Sequence, residues 1–72
     1  MKVYINGELT ILKSKAKLIT INKLLEELNY NPKLVVIELN GLIIESLRWN
    51  NEKINDNDKI EIVTLVGGGS LY

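Results

Sequence analysis

The chain has 72 residues, 46% hydrophobic and 25% charged, with nine Lys and Arg balanced by nine Asp and Glu. That is one small domain, burying only about 60% of the surface its unfolded form exposes and too small for a self-contained enzyme. Zero formal net charge argues against a general grip on nucleic acid, which needs a local excess of Lys and Arg.

No apolar run approaches the ~20 residues of a membrane-spanning helix, and Met1-Lys2-Val3-Tyr4 does not open a signal peptide. No membrane contact and a cytoplasmic setting are expected. Val3 and Ile5 alternate with Lys2 and Tyr4 up to Asn6-Gly7, a dipeptide that favours the positive φ angles of a type I′ turn. Glu8 to Leu12 alternates again, so residues 2–12 predict a hairpin, with Leu9 and Ile11 assigned to the face of Val3 and Ile5. Lys13-Ser14-Lys15-Ala16-Lys17 reads as a solvated loop rather than a basic binding patch. At Thr20, an N-cap candidate, the period changes. Ile21, Leu24, Leu25 and Leu28 fall at i, i+3, i+4 and i+7, predicting an amphipathic helix of about nine residues. Asn29-Tyr30-Asn31-Pro32 should end it, because the residue before proline avoids the α region and asparagine tolerates a left-handed cap.

Leu34 to Leu39 predicts a central strand with Val35, Ile37 and Leu39 on one face. Asn40-Gly41 should be a tight turn and Leu42-Ile43-Ile44 a short edge strand. The polar stretch from Glu45 to Asp58 reads as an irregular loop pinned to the core by Leu47, Trp49 and Ile54. Lys59 to Leu65 alternates once more, with Ile60 and Ile62 inward, before Val66 and Gly67-Gly68-Gly69. The expected core is Val3, Ile5, Leu9, Ile11, Ile21, Leu24, Leu25, Leu28, Val35, Ile37, Leu39, Ile60 and Ile62. Tyr4, Val36, Val63 and Leu65 alternate away from the helix and form a candidate apolar docking patch.

This order, β-β-α-β-β-β, predicts an α+β domain of the β-grasp or ubiquitin-like type. It is a mixed sheet of about four to five strands with one helix on one face and the other face open. Residues 1–66 form the expected domain and 67–72 a flexible glycine-rich tail. Three consecutive glycines lose much backbone entropy in any element interior, whereas in a tail they let the backbone enter a narrow cleft of another protein.

Most familiar active sites are excluded by composition. With no Cys and no His, Ser14, Ser46 and Ser70 have no activating base, and there is no thiolate nucleophile or zinc-ribbon site. Glu26-Glu27 sits on a helix surface. Asn55-Asp56-Asn57-Asp58 superficially suggests calcium, but an EF-hand loop needs glycine at its sixth position and glutamate at its twelfth. Counted from Asp56, those positions hold Glu61 and Gly67, so a tight turn is the better account. Neither a catalytic residue, a metal ligand nor a bound cofactor is expected.

Gly41-Leu42-Ile43-Ile44, then Trp49, then the run from Asp56-Asn57-Asp58 through Thr64-Leu65-Val66-Gly67-Gly68-Gly69 resembles the C-terminal half of the thiamine-biosynthesis sulfur carrier family, ThiS. Asn6-Gly7 and Thr20-Ile21-Asn22-Lys23-Leu24-Leu25-Glu26-Glu27-Leu28 resemble its first half, so the likeness covers essentially the whole chain. It implies a substrate protein rather than a catalyst. The carboxylate of Gly69, presented by Gly67 and Gly68, would be adenylated with ATP by a ThiF-type enzyme and converted to a thiocarboxylate. A ThiG-type thiazole synthase would receive the sulfur. A molybdopterin-synthase small subunit and a ubiquitin-like modifier share the fold and tail and remain alternatives.

Three departures from the family pattern stand out. Glu45-Ser46 replaces a frequent Pro-Arg, and Asn57 a frequent glycine, both in loops. More seriously, Ser70-Leu71-Tyr72 follow the glycines, leaving no free glycine carboxylate. Either a protease removes the extension, or it is foreign to the natural chain, or the chain as written is inactive.

Overall fold

Turn and cap chemistry sets the order of elements in the computed structural model, which describes residues 1–65. Strands β1 (Lys2–Ile5) and β2 (Glu8–Ile11) are joined by Asn6 and Gly7, whose φ angles of 51° and 84° suit the type I′ turn. A two-residue strand, β3 (Ile19–Thr20), runs straight into helix α1 (Ile21–Glu27). Thr20 is the N-cap, its Oγ1 accepting from the Lys23 amide at 3.1 Å. Asn29, at φ 63°, takes the left-handed position that ends the helix, and the Tyr30 amide returns to the Leu25 carbonyl at 2.9 Å. Asn31 then caps a single 3-10 turn, Pro32–Leu34, which feeds β4 (Val35–Leu39). Asn40 and Gly41, at 51° and 89°, fold β4 onto β5 (Leu42–Ile44) as the first Asn-Gly pair folds β1 onto β2. After a second 3-10 turn, Ser46–Arg48, come β6 (Lys53–Ile54) and β7 (Lys59–Thr64).

Five strands form one sheet in the order β2-β1-β7-β4-β5, and β3 pairs with β6 in a separate two-stranded piece. β7 is the middle strand, parallel to β1 and antiparallel to β4. The mixed sheet with one helix on it is the expected β-grasp. β4 is an interior strand, though the centre belongs to β7. The β3–β6 pair, registered Ile19 with Ile54, was not legible as strand because two residues carry no period.

Ile21, Leu24 and Leu25 are fully buried beneath α1, against Val3, Ile5, Val35, Ile37, Leu39, Ile60 and Ile62 of the sheet. Each such aliphatic side chain contributes about 1.5–3 kcal/mol by leaving water. Leu12, Ile19, Trp49 and Ile54 complete the core, and Leu28 packs half-buried at its rim.

Three expectations are corrected. Leu9 and Ile11 are 55% and 70% exposed. The two-residue turn pairs Ile5 with Glu8 and Val3 with Thr10, and directly opposed residues share a face, so Leu9 and Ile11 join Tyr4 and Lys2 on the far side. Leu47 does not pin the 45–58 loop, being 91% exposed. In a turn with about three residues per revolution, Leu47 and Trp49 point to different sides, and only Trp49 turns inward. Its Nε1 donates to the Ile44 carbonyl at 2.8 Å.

The Asn55–Asp58 segment is a turn held by its own carboxylates. Asp58 Oδ2 accepts from the Asn55 amide at 2.8 Å and Asp56 Oδ1 from the Lys2 amide at 2.7 Å.

Candidate docking face

The helix covers one face of the sheet and leaves the other exposed. Because cross-strand partners share a face, the registers lay that open face out in rows. At the C-terminal end of β7, Leu65 lies beside Leu34, its amide donating to the Leu34 carbonyl at 2.6 Å. In the next row Val63 opposes Val36. Then Glu61 opposes Glu38, and Glu38 opposes Ile43 on β5. At the start of β7, Lys59 neighbours Tyr4, which neighbours Leu9; Lys2 and Ile11 form the last row.

Exposure follows this layout: Val36 39%, Val63 56%, Leu65 49% and Ile43 68%. The structure therefore brings Val36, Val63 and Leu65 together, as the alternation predicts, and adds Leu34 and Ile43. Tyr4 is on the same face but apart from them, half-buried against Leu9. Lys59 and Val63 are four residues apart on β7, which at strand rise is about 13 Å. The face thus carries two apolar groups, one near the end of β7 and one on β1 and β2.

β7 is held at its start and again past its middle by side chains doing the work of a neighbouring strand. Where β1 turns away, the Asn6 side chain continues its ladder: Oδ1 accepts from the Ile62 amide at 2.7 Å and Nδ2 donates to the Ile62 carbonyl at 3.2 Å. Asn40 does the same at the start of the strand. Its Oδ1 accepts from the Lys59 amide at 2.9 Å, its Nδ2 donates to Asp58 Oδ1 at 3.1 Å, and its own amide bonds the Lys59 carbonyl at 2.7 Å. Sequence reasoning saw these asparagines only as turn formers. An Asn followed by Gly signals the turn, whereas the reach of its amide across to β7 depends on which strand lies alongside.

A second anchor fixes the basic loop. Both carboxylate oxygens of Glu27, at the end of α1, accept backbone amides, one from Lys13 and the other from Ser14 at 3.3 Å. Among the described residues no group of acidic side chains is arranged to hold a metal ion. The expected tail, Gly67, Gly68 and Gly69 included, lies outside the described residues.

Comparison with known proteins matches residues 3–69 to the ThiS family. The "Sulfur carrier protein ThiS" of Bacillus subtilis (strain 168) is 42% identical over 50 residues, covering 69% of this chain and 76% of that protein. An uncharacterized protein, ycf40, of Trieres chinensis is 45% identical over 51 residues, covering 71% and 70%. A "Thiazole synthase" of Paramagnetospirillum magneticum is 37% identical over 70 residues, which are 97% of this chain and 21% of that protein. In fold, the chain is similar to the crystal structure of a thiamine biosynthesis protein (ThiS) from Geobacter metallireducens. The TM-score is 0.82 at 27% identity, covering 96% of this chain and all of the other.

Proposed function

The chain belongs to the ThiS family, the sulfur carriers of thiamine biosynthesis, and we propose that its sulfur travels on the C-terminal carboxylate of Gly69. A ThiF-type enzyme adenylates that carboxylate: a carboxylate oxygen attacks the α-phosphorus of ATP, pyrophosphate leaves, and the glycyl adenylate forms. Sulfur at the sulfide level then attacks the acyl carbon, the acyl–oxygen bond to AMP breaks, and a thiocarboxylate and AMP are left. Because Ser70-Leu71-Tyr72 follow Gly69, and an internal amide is a far poorer group to activate, cleavage after Gly69 precedes activation. ATP serves the activating enzyme, and this protein is the substrate.

The observation that carries this reading is the placement of the open apolar face at the end of the strand that leads into the glycines. Val63 on β7 and Leu65 just after it, with Val36 of β4 beside them, are exposed immediately before Val66-Gly67-Gly68-Gly69 in the sequence. A partner that grips this patch holds the domain while the glycines, free of Cβ atoms, thread toward an active site. Tyr4 extends the contact at the far end of the face.

A ThiG-type thiazole synthase is the acceptor. Support comes from the Paramagnetospirillum magneticum protein, in which a stretch similar to nearly all of this chain belongs to a thiazole synthase. Joining a carrier-like domain to its acceptor makes their encounter intramolecular and raises its effective concentration.

The test mixes a ThiF-type enzyme and ATP with two forms of the protein, one ending at Tyr72 and one at Gly69, and follows pyrophosphate release. Turnover is expected of the Gly69 form alone. Equal turnover of both would remove the processing step, and no turnover of the Gly69 form would remove the proposed carrier chemistry.

A further inference from the structure

Among the apolar side chains of the open face lies one unfavourable pair. Glu38 on β4 and Glu61 on β7 are directly opposed in register. Like charges at that spacing destabilise a sheet. The ion pairs among the described residues are Lys23 with Glu26 and Arg48 with Glu52, so neither Glu38 nor Glu61 is neutralised by a neighbour. Lys59 lies on the same face, two residues before Glu61, yet forms no ion pair with either carboxylate. The two glutamates, Lys59 and Asn40 border a shallow depression large enough to receive a side chain. Val63 and Val36 lie on one side of the acidic pair, and Ile43 flanks Glu38.

We infer that Glu38 and Glu61 form the charge-selective part of the docking face, receiving an arginine from a partner protein whose adjoining surface is apolar. The inference rests on the docking role proposed above for Val36, Val63 and Leu65 and adds what the partner must carry. Arginine fits better than lysine because a planar guanidinium presents donors along more than one edge and bridges two carboxylates, whereas an ammonium acts as a point charge. Lys59, in the next row, and Lys2 beyond it lie on the side of the pair toward the start of β7, so the face runs from apolar at Val63 and Leu65, through the acidic pair in the middle of the strand, to basic at Lys59 and Lys2. A partner with the reverse polarity is admitted in one orientation, the one that points the glycines at its active site. Charge complementarity of this kind fixes register and partner choice more than raw affinity.

The repulsion gives the test two readouts of opposite sign. In the protein ending at Gly69, Glu38→Gln with Glu61→Gln should raise the melting temperature by a few degrees, since removing a like-charge pair stabilises a domain of this size. The same double variant should bind a ThiF-type enzyme about tenfold or more weakly, with a shallower dependence on salt. Val63→Asp serves as the companion. Binding lost in Val63→Asp but unchanged in the glutamine variant would overturn the charge inference and leave the docking face standing. Binding unchanged in Val63→Asp would overturn the docking face itself. Self-association of the unmodified protein, abolished in the glutamine variant, would assign the acidic pair to a second copy of this chain and likewise overturn the proposal.

Discussion

The two faces of the one sheet carry similar side chains and meet opposite fates. On the inner face Val3, Ile5, Val35, Ile37, Ile60 and Ile62 are closed over by α1. On the outer face Leu9, Ile11, Val36, Ile43 and Val63 remain in contact with water. Hydrophobicity therefore does not decide which face becomes core. The helix decides, because its one apolar stripe can cover only one side, and the pleat assigns every alternate residue to the side left over. A large exposed apolar group on a small protein marks a contact surface. The inner face measures what folding requires, and the outer face carries the proposed docking role.

The largest expected effect lies at the lower boundary of the inner face. Trp49 is 4% exposed and spends its indole N–H on the Ile44 carbonyl. Trp49→Ala should cost about 3–5 kcal/mol, read from the midpoint of chemical denaturation. Trp49→Phe, which keeps most of the volume and removes the donor, should cost less. If Trp49→Ala left the midpoint unchanged, the loop from 45 to 58 would not be seated on the core.

The helix itself comes next. Leu25 is 1% exposed at the centre of the stripe, and Leu25→Ala should destabilise by about 2–5 kcal/mol through lost burial and the cavity left behind. The paired experiment is Val63→Thr on the other face, where a change within about 0.5 kcal/mol is expected of an exposed position. Similar losses from both would show that the outer face is covered in solution.

Much of this comparison was legible in the sequence, and the part that was not has a definite cause. The helical stripe at Ile21, Leu24, Leu25 and Leu28 spans two full turns, long enough for its period to be unambiguous, and its cap at Thr20 is where it was expected. In β4 and β7 the alternation runs for five or six residues and separates Val36 and Val63 from their buried neighbours. β2 failed for a different reason. Its own alternation is clear, but which half faces the helix depends on counting through the turn, and a two-residue turn makes opposed positions differ by an odd number. Leu12 and Ile19 escaped notice because each follows or forms an element too short to show a period. The clamps of Asn6 and Asn40 on β7 were beyond sequence reasoning altogether. They depend on β7 lying beside residues more than fifty positions away in one case and nineteen in the other.

The smallest expected effect is the most discriminating, because the two assignments of β2 predict different outcomes for one substitution. Were Ile11 packed with Val3 and Ile5, replacing it by threonine would put a hydroxyl into the core and remove a buried methyl group, at a cost well above 1 kcal/mol. In the structure Ile11 is 70% exposed on an edge strand, opposite Lys2, and threonine suits such a position by β-propensity. Ile11→Thr should therefore leave stability within about 0.5 kcal/mol of the unmodified protein. Thr10→Asp is the mirror experiment. Thr10 is half-buried and pairs with Val3 on the helix side, so a carboxylate there meets apolar surroundings and should destabilise measurably. A tolerated Thr10→Asp together with a costly Ile11→Thr would mean that the first hairpin pairs one residue out of the register described, with its apolar side chains turned inward after all.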